Sequence, residues 1–254
     1  MFKSARKLST RKLSSEYYQV EFELLDGVIE KPKPLQFINI WIPGIDEIPM
    51  SISQYRENKV SVIFKVVGRG TKALRDTEGF FGVKGPMGKS IALDGYKKLL
   101  FIAGGVGIAP LPYLVDYASN YGINVDVVWG TRKGDMIFNV RELVAGVGDI
   151  YYATEDCTIG YCGRAIDLAM KLLEKNNGRW EIALGVGPVD MLRELCSSLN
   201  KGNFVYISLE ALIKCGYGAC GSCVLKPLPM LLCRDGPVFK CNEVMPYLEN
   251  RPQN

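Results

Sequence analysis

The chain has 254 residues, 48% of them hydrophobic and 23% charged, with a formal net charge of +4. That is enough length for two domains with proper cores, and too little excess charge to argue for nucleic acid. It contains no histidine, which excludes His-based acid–base chemistry, Ser-His triads, Rieske ligation and most catalytic zinc sites. Its chemistry must come from bound cofactors.

In chain order, Lys3, Arg6, Lys7, Arg11 and Lys12 open the sequence and read as the solvated edge of a first strand. There is no apolar run of the about 18–20 residues a membrane span needs, and no signal-peptide core, so a cytoplasmic chain is expected. Residues 15–25 (SEYYQVEFELL), 35–42 (LQFINIWI) and 59–67 (KVSVIFKVV) have strand composition, punctuated by Pro32, Pro34, Pro43 and Pro49. Several short strands without a long helix predict a small antiparallel β-barrel up to about residue 95. Within it, Pro49, Met50 and Ser51 are expected to join two strands. The run Val67-Gly68-Arg69-Gly70-Thr71 offers glycine amides, a hydroxyl and a helix start suited to a diphosphate. Gly85-Pro86-Met87-Gly88 reads as a turn.

The pattern changes at Lys97. Residues 99–103 (LLFIA) form a short, continuous apolar run ending in Gly104-Gly105-Val106-Gly107, with a helix expected over residues 110–120. Further buried strands are expected at 124–129, 149–153, 181–184 and 204–208, and helices at 139–145, 164–175 and 189–199. This alternation predicts a parallel, doubly wound sheet. A glycine turn between a buried strand and a helix suits a dinucleotide, though a tight turn without a ligand fits as well. Gly130-Thr131-Arg132 and Gly185-Val186-Gly187-Pro188 fall at other strand ends, on the edge where such sheets bind ligands.

The chain closes on its cysteine run. Cys215, Cys220, Cys223 and Cys233 are spaced C-x4-C-x2-C-x9-C. The first three match the plant-type ferredoxin spacing of a [2Fe–2S] cluster, and Gly216, Gly218 and Gly221 let the loop wrap closely. Structural zinc and ligand-free thiols are the alternatives, but zinc commonly takes two short C-x2-C knuckles and only one is present. Cys157, Cys162, Cys196 and Cys241 lie outside the pattern and read as packing or incidental thiols.

Barrel, glycine-turn sheet and four cysteines together resemble the ferredoxin–NADP reductase superfamily. Within it the chain is similar to the FAD and [2Fe–2S] electron-transfer subunits of the type B dihydroorotate dehydrogenases. The most specific stretch is residues 208–223 (SLEALIKCGYGACGSC), closing with residues 233–239 (CRDGPVF). The resemblance implies a division into an FAD-binding barrel (1–95), an NAD(P)-binding-like α/β domain (96–207) and a small [2Fe–2S] domain (208–254). It implies Cys215, Cys220, Cys223 and Cys233 as cluster ligands. It implies FAD contacts at Pro49, Met50, Ser51, Ile63, Phe64, Lys65, Gly70 and Thr71, with Ser51 near the reactive flavin nitrogen. Gly104, Gly105, Gly107, Thr131 and Gly187 would face a nicotinamide dinucleotide. Tyr217, inside the cluster loop, would shield the centre or merely pack.

The implied partner is an FMN-containing dihydroorotate dehydrogenase catalytic subunit, in a hetero-oligomer of two plus two, serving pyrimidine (UMP) biosynthesis without nucleic acid or membrane. Electrons would end on NAD or another acceptor. Two positions depart from the family pattern. Ile48 replaces the arginine of the flavin motif, leaving Lys65 or Arg56 as substitutes, and Val186 replaces a cysteine beside the nicotinamide. The competing expectations are a similar subunit of a hydrogenase, sulfite reductase or ferredoxin:NADP transhydrogenase, and a zinc-stabilised binding module without cofactors.

Overall fold

The computed structural model describes residues 2–175, 178–198 and 204–250. Its first half alternates with period two, as half-buried strands require. In β3 (Phe37–Ile42), Ile38, Ile40 and Ile42 are fully buried in the barrel core, while Phe37, Asn39 and Trp41 face outwards. The other barrel strands are β1 (Lys3–Lys12), β2 (Tyr17–Leu24), β4 (Asp46–Arg56), β5 (Lys59–Lys65) and β6 (Phe80–Met87). They close in the order β1-β2-β5-β4-β3-β6, all pairs antiparallel. A single short helix, α1 (Arg69–Asp76), interrupts them.

Three expectations change here. β1 is not an edge, because it pairs with β2 on one side and β6 on the other. Lys7 turns inward, and its ammonium donates to the carbonyls of Arg75 and Thr77, both at 2.8 Å, at the C-terminal end of α1. A lysine there caps orphan carbonyls and sits at the negative pole of the helix. The residues Pro49, Met50 and Ser51 lie inside β4 rather than joining two strands. Gly85-Pro86-Met87 belongs to β6, opposite a register shift in β3.

The second half is a seven-stranded sheet in the order β10-β9-β8-β7-β11-β12-β13. Its strands are β7 (Lys98–Gly104), β8 (Asn124–Thr131), β9 (Ile150–Thr154), β10 (Tyr161–Cys162), β11 (Ile182–Val186), β12 (Val205–Ser208) and β13 (Val238–Lys240). All neighbours run parallel except β12 and β13. β7 is buried on both faces, as a central parallel strand should be. Leu99, Phe101 and Ala103 pack with α2 (Leu111–Ser119), while Leu100 and Ile102 share a cluster with α3 (Ala165–Glu174) and α4 (Val189–Ser198).

The expected helix at 189–199 extends to Leu199, which lies outside the described residues. The helix expected at 139–145 is only a 3-10 turn, Val140–Glu142. The Arg141 guanidinium donates to the carbonyls of Val147 (2.8 Å) and Gly148 (2.6 Å) and draws the chain back before a second turn can form. A short helix α5 (Leu232–Asp235) precedes β13, and α6 (Cys241–Glu249) follows it.

Barrel and sheet share cores. Tyr17, Leu35 and Ile63 pack into the cluster under α2, and Phe37 packs into the cluster of α3, α4 and α6. Among the described residues no helix is long and apolar enough to cross a membrane. The cysteines outside the C-terminal run are not incidental thiols. Cys157 is disulfide-bonded to Cys162, and Cys196 to Cys241, which ties α4 to α6.

Candidate functional site

Glycine strand ends meet at one edge of the sheet, and a cleft of about 640 Å³ opens there against the barrel. Its sheet wall is made by Gly104, Gly105 and Gly107 at the end of β7, Thr131, Arg132 and Lys133 at the end of β8, Glu155 after β9, and Gly187, Pro188 and Met191 after β11. The barrel contributes Glu16, Tyr17 and Lys65, and Glu210 reaches in after β12. This is the carboxyl edge of the parallel strands, where open α/β sheets take ligands.

The glycines do different things. A Cβ on Gly104 would stand 2.8 Å from both Pro188 Cδ and Met191 Sδ, and one on Gly107 would lie 2.1 Å from the Val186 carbonyl oxygen. A Cβ on Gly187 would lie 3.0 Å from the Gly104 backbone. These three serve close packing of strand ends. Gly105 alone faces space: its φ is +56°, and its nearest neighbour would be Tyr17 Oη at 3.6 Å. The Trp129 indole donates to the Gly105 carbonyl at 3.0 Å and fixes the turn. Thr131 does not offer a free hydroxyl, since it donates to the Lys133 carbonyl at 2.8 Å.

Charge in the cleft is partly committed. Lys65 is ion-paired with Glu16. Arg164 pairs with Asp167 (2.6 Å) and Glu194 (2.8 Å), and those bonds raise its pKa and lower that of Asp167. Arg132 and Lys133 carry no such pair among the described residues. Glu210 touches solvent yet is flanked by protein, and this desolvation raises its pKa above the ordinary glutamate range. Tyr17 is pushed up to about 12, mainly by burial and then by Glu16.

The expected flavin residues divide by face. Ser51 lies opposite Phe37, and Pro49 opposite Asn39, all on the outer face of the barrel. The side chains of Met50 and Phe64 pack into the barrel core, so only their backbones are available outside it. Ile63 and Lys65 alternate with Phe64 and face the sheet, where Ile63 joins the core under α2. Gly70 and Thr71 lie in the first turn of α1. A Cβ on Gly70 would stand 2.8 Å from Ile48 Cγ2 and 2.7 Å from Asp46 Oδ2, so the start of α1 abuts the start of β4.

The exposed α1 N-terminus thus lies beside the first residues of β4 and offers an anion-favouring end. Thr71 Oγ1 accepts from the amides of Val67 (2.9 Å) and Gly68 (3.1 Å), so it shapes this turn. Asp46 opposes an anion there, and Ile48 supplies no charge. Arg56 is at the far hairpin, opposite Lys59, whereas Arg69 is the first residue of α1.

The cysteine run lies against the same outer face. The Asn39 amide donates to the Lys214 carbonyl at 3.0 Å and to Glu47 Oε1 at 2.6 Å. A Cβ on Gly216 (φ +82°) would meet Met87 Sδ at 2.2 Å, so the loop crosses β6 at glycine. Lys84 lies under the exposed Tyr217 ring, 5.7 Å from its centroid. Further on, Lys89 donates its amide to the Gly236 carbonyl at 2.5 Å, and Lys89 bridges to Pro237.

All four thiols are free and fall into two pairs. Cys223 Sγ is 3.3 Å from Cys233 Sγ, and Cys215 and Cys220 are close enough to influence each other's ionisation. The Tyr217 amide first, then those of Cys220 and Ala219, point at Cys215 and bring its pKa down to about 6 against the effect of burial. The Ser222 hydroxyl leads in lowering that of Cys220. Burial and then Cys223 push Cys233 up to about 12. Among the described residues no three such side chains converge on one metal ion. Two thiol pairs with amides aimed at sulfur suit a two-iron centre, with two thiolates per iron, better than a single tetrahedral ion.

Sequence reasoning missed Asn39, Glu16, Tyr17 and Glu210. Asn39 carried a signal, as the one short polar residue within an apolar strand (FINIWI). The others sit on elements that packing alone brings to the cleft.

Residues 210–245 match the iron–sulfur cluster binding domain of dihydroorotate dehydrogenase B. The chain is 33% identical over 252 residues to the dihydroorotate dehydrogenase B (NAD(+)) electron transfer subunit of Caldanaerobacter subterraneus subsp. tengcongensis, covering 95% of this chain and 97% of that one. It is 36% identical over 219 residues to the probable counterpart of Archaeoglobus fulgidus, covering 83% of this chain and 87% of that one. Among solved structures, that of the NADH-dependent reduced ferredoxin-NADP oxidoreductase superposes with a TM-score of 0.80 at 24% identity, over 97% of this chain and 93% of the other. At that identity the likeness speaks for the fold.

Proposed function

The chain belongs to the electron-transfer subunits of dihydroorotate dehydrogenase B, and from that premise we propose how it works. It takes electrons from an FMN-containing subunit that oxidises dihydroorotate and passes them to NAD+ or another acceptor, in pyrimidine biosynthesis. It works in the cytoplasm in a complex of two plus two subunits. Residues 1–95 carry FAD, 96–207 the nucleotide site and 208–254 a [2Fe–2S] cluster. When bound, the cluster supplies a one-electron centre and FAD a carrier that handles one or two electrons.

The residues have separate tasks. Cys215 and Cys220 would hold one iron, and Cys223 and Cys233 the other, with loop amides offsetting thiolate charge. Pro49 and Ser51 present the flavin surface, the backbones of Met50 and Phe64 support it, and Ile63 and Lys65 border it on the sheet side. Gly70 and Thr71 offer helix-end amides to the diphosphate, with Arg69 and Lys72 flanking them in the sequence. Gly105 opens the nucleotide cleft, while Gly104, Gly107, Thr131 and Gly187 build its walls.

The observation that carries this reading is the Asn39 bond to Lys214. Asn39 pairs with Pro49, so one strand connects the chain entering the cysteine loop to the flavin strand. Short separation between carriers is what a transfer subunit needs. The test is iron, sulfide and flavin analysis of anaerobically purified protein. About two irons and one FAD per chain are expected, and Cys220→Ser should lose the iron while keeping the flavin. A colourless protein containing zinc and no iron would overturn the assignment.

A further inference from the structure

Cys157 and Cys162 have no place in the electron path described above, and the fold nevertheless brings them together. They bracket a turn between β9 and the edge strand β10, with Cys162 in register with Thr154. Both are solvent-exposed, unlike Cys196 and Cys241, which are 0% and 8% exposed within the core of α4 and α6. The two disulfides in one chain therefore differ in the property that governs thiol exchange, access of an attacking thiolate to sulfur.

The exposed pair is also wired to the cleft. The amide of Glu155, which lines the cleft, donates to the Thr131 carbonyl at 3.2 Å, and that of Asp156 donates to Arg132 at 3.1 Å. Asp156 in turn accepts from the Gly134 amide at 3.1 Å and from the Thr158 hydroxyl at 2.7 Å. Thus the wall of the cleft after β8 is held by the two residues that lead into the disulfide-closed loop, and Asp156 is tied to that loop through Thr158. Cys157 itself has a φ of +60°, a left-handed backbone that a residue with a Cβ rarely keeps without a constraint.

We propose that Cys157–Cys162 is a redox-exchangeable disulfide that fixes the cleft wall formed by Thr131, Arg132 and Lys133. The exchange partner is a dithiol protein or small dithiol. Its thiolate attacks one exposed sulfur, giving a mixed disulfide, and its second thiol displaces the remaining Cys sulfur. Two electrons and two protons pass from the dithiol to the pair, which ends as two thiols, and the reductant ends as a disulfide. With the bond open, Cys157 leaves its left-handed conformation and the hold of the turn on the Thr131–Gly134 segment loosens. The meaning of this for nucleotide binding rests on the reading of the cleft given above; the exchange and the loosening do not.

The test uses the folded, cofactor-loaded protein, treated with dithiothreitol and then alkylated for peptide mass spectrometry. Cys157 and Cys162 should become alkylated while Cys196 and Cys241 stay linked until the chain is unfolded. Hydrogen exchange at residues 131–136 and 154–163 should accelerate about tenfold or more on reduction. The Cys157→Ser/Cys162→Ser variant should show the fast rates with or without dithiothreitol. Finding both residues as free thiols in the air-oxidised protein, or unchanged exchange rates after reduction, would overturn the proposal. A protein that passes both tests but fails to bind NADH in a fluorescence titration would refute the nucleotide assignment and leave the switch standing.

Discussion

Replacing Asn39 by Leu tests whether the cysteine loop depends on the barrel. The two side chains share the same number and branching of heavy atoms, so the change removes polar contacts without opening a cavity. Asn39 Nδ2 donates to the Lys214 carbonyl (3.0 Å) and to Glu47 Oε1 (2.6 Å), and its own Oδ1 is buried without a partner. Stranding the Lys214 carbonyl costs about 1–3 kcal/mol. The Glu47 bond is worth about 1 kcal/mol, since Lys84 still pairs with that carboxylate at 2.7 Å and takes up part of the loss. Removing the orphan Oδ1 recovers about 1 kcal/mol, which leaves a net loss of about 2 kcal/mol. For a chain of this size that lowers Tm by about 4–8 °C, measurable by calorimetry. Iron content should fall with it, because the bond is made one residue before Cys215. An unchanged Tm together with full iron content would refute the idea that this bond docks the loop.

Two more substitutions and one titration probe the rest. Gly107→Ala drives a Cβ to within 2.1 Å of the Val186 carbonyl, against backbone that has no rotamer to yield, so about 4 kcal/mol or more is expected to be lost in denaturant unfolding. Gly105→Ala has room, at 3.6 Å from Tyr17 Oη, and costs only the left-handed strain of about 1–2 kcal/mol. It should fold yet weaken NADH binding, and unaltered affinity would count against Gly105 as the ligand face. Burial pushes Tyr17 and Tyr113 each up to about 12. The folded chain then holds these protons longer than the unfolded one, so their stability is complete below about pH 10 and is lost as pH rises towards 12, by up to about 1.4 kcal/mol per pH unit per tyrosine. Tyr17→Phe should flatten that slope in urea titrations between these pH values; an identical slope would remove Tyr17 from the account.

What was legible in the sequence had a local cause. The run LLFIA announces a strand buried on both faces because it holds no polar residue, and β7 is that strand. The C-x4-C-x2-C spacing specifies thiol donors on a short loop, and the thiols do come together in pairs. What was hidden depends on distant partners. The lysines of β1 read as a solvated edge because a charge on a strand is ordinarily at the surface. Lys7 is buried only because α1, about 70 residues later, ends with free carbonyls above it. The Cys196–Cys241 link spans 45 residues and follows from how α6 lies on α4, which no spacing encodes.

The glycine turn after β7 shows that a motif can answer a demand other than the one it suggests. Read as Gly-Gly-Val-Gly, it invites the inference that each glycine lets a phosphate approach the backbone. In the fold, Gly104 makes room for Pro188 and Met191, and Gly107 for the Val186 carbonyl, so two of the three are demanded by packing between β7 and β11. That packing is what draws the two strand ends together and leaves a concave edge between them. Those glycines are filled by packing, and Gly105, held by Trp129 and facing Tyr17, is the glycine of this turn left open to the cleft.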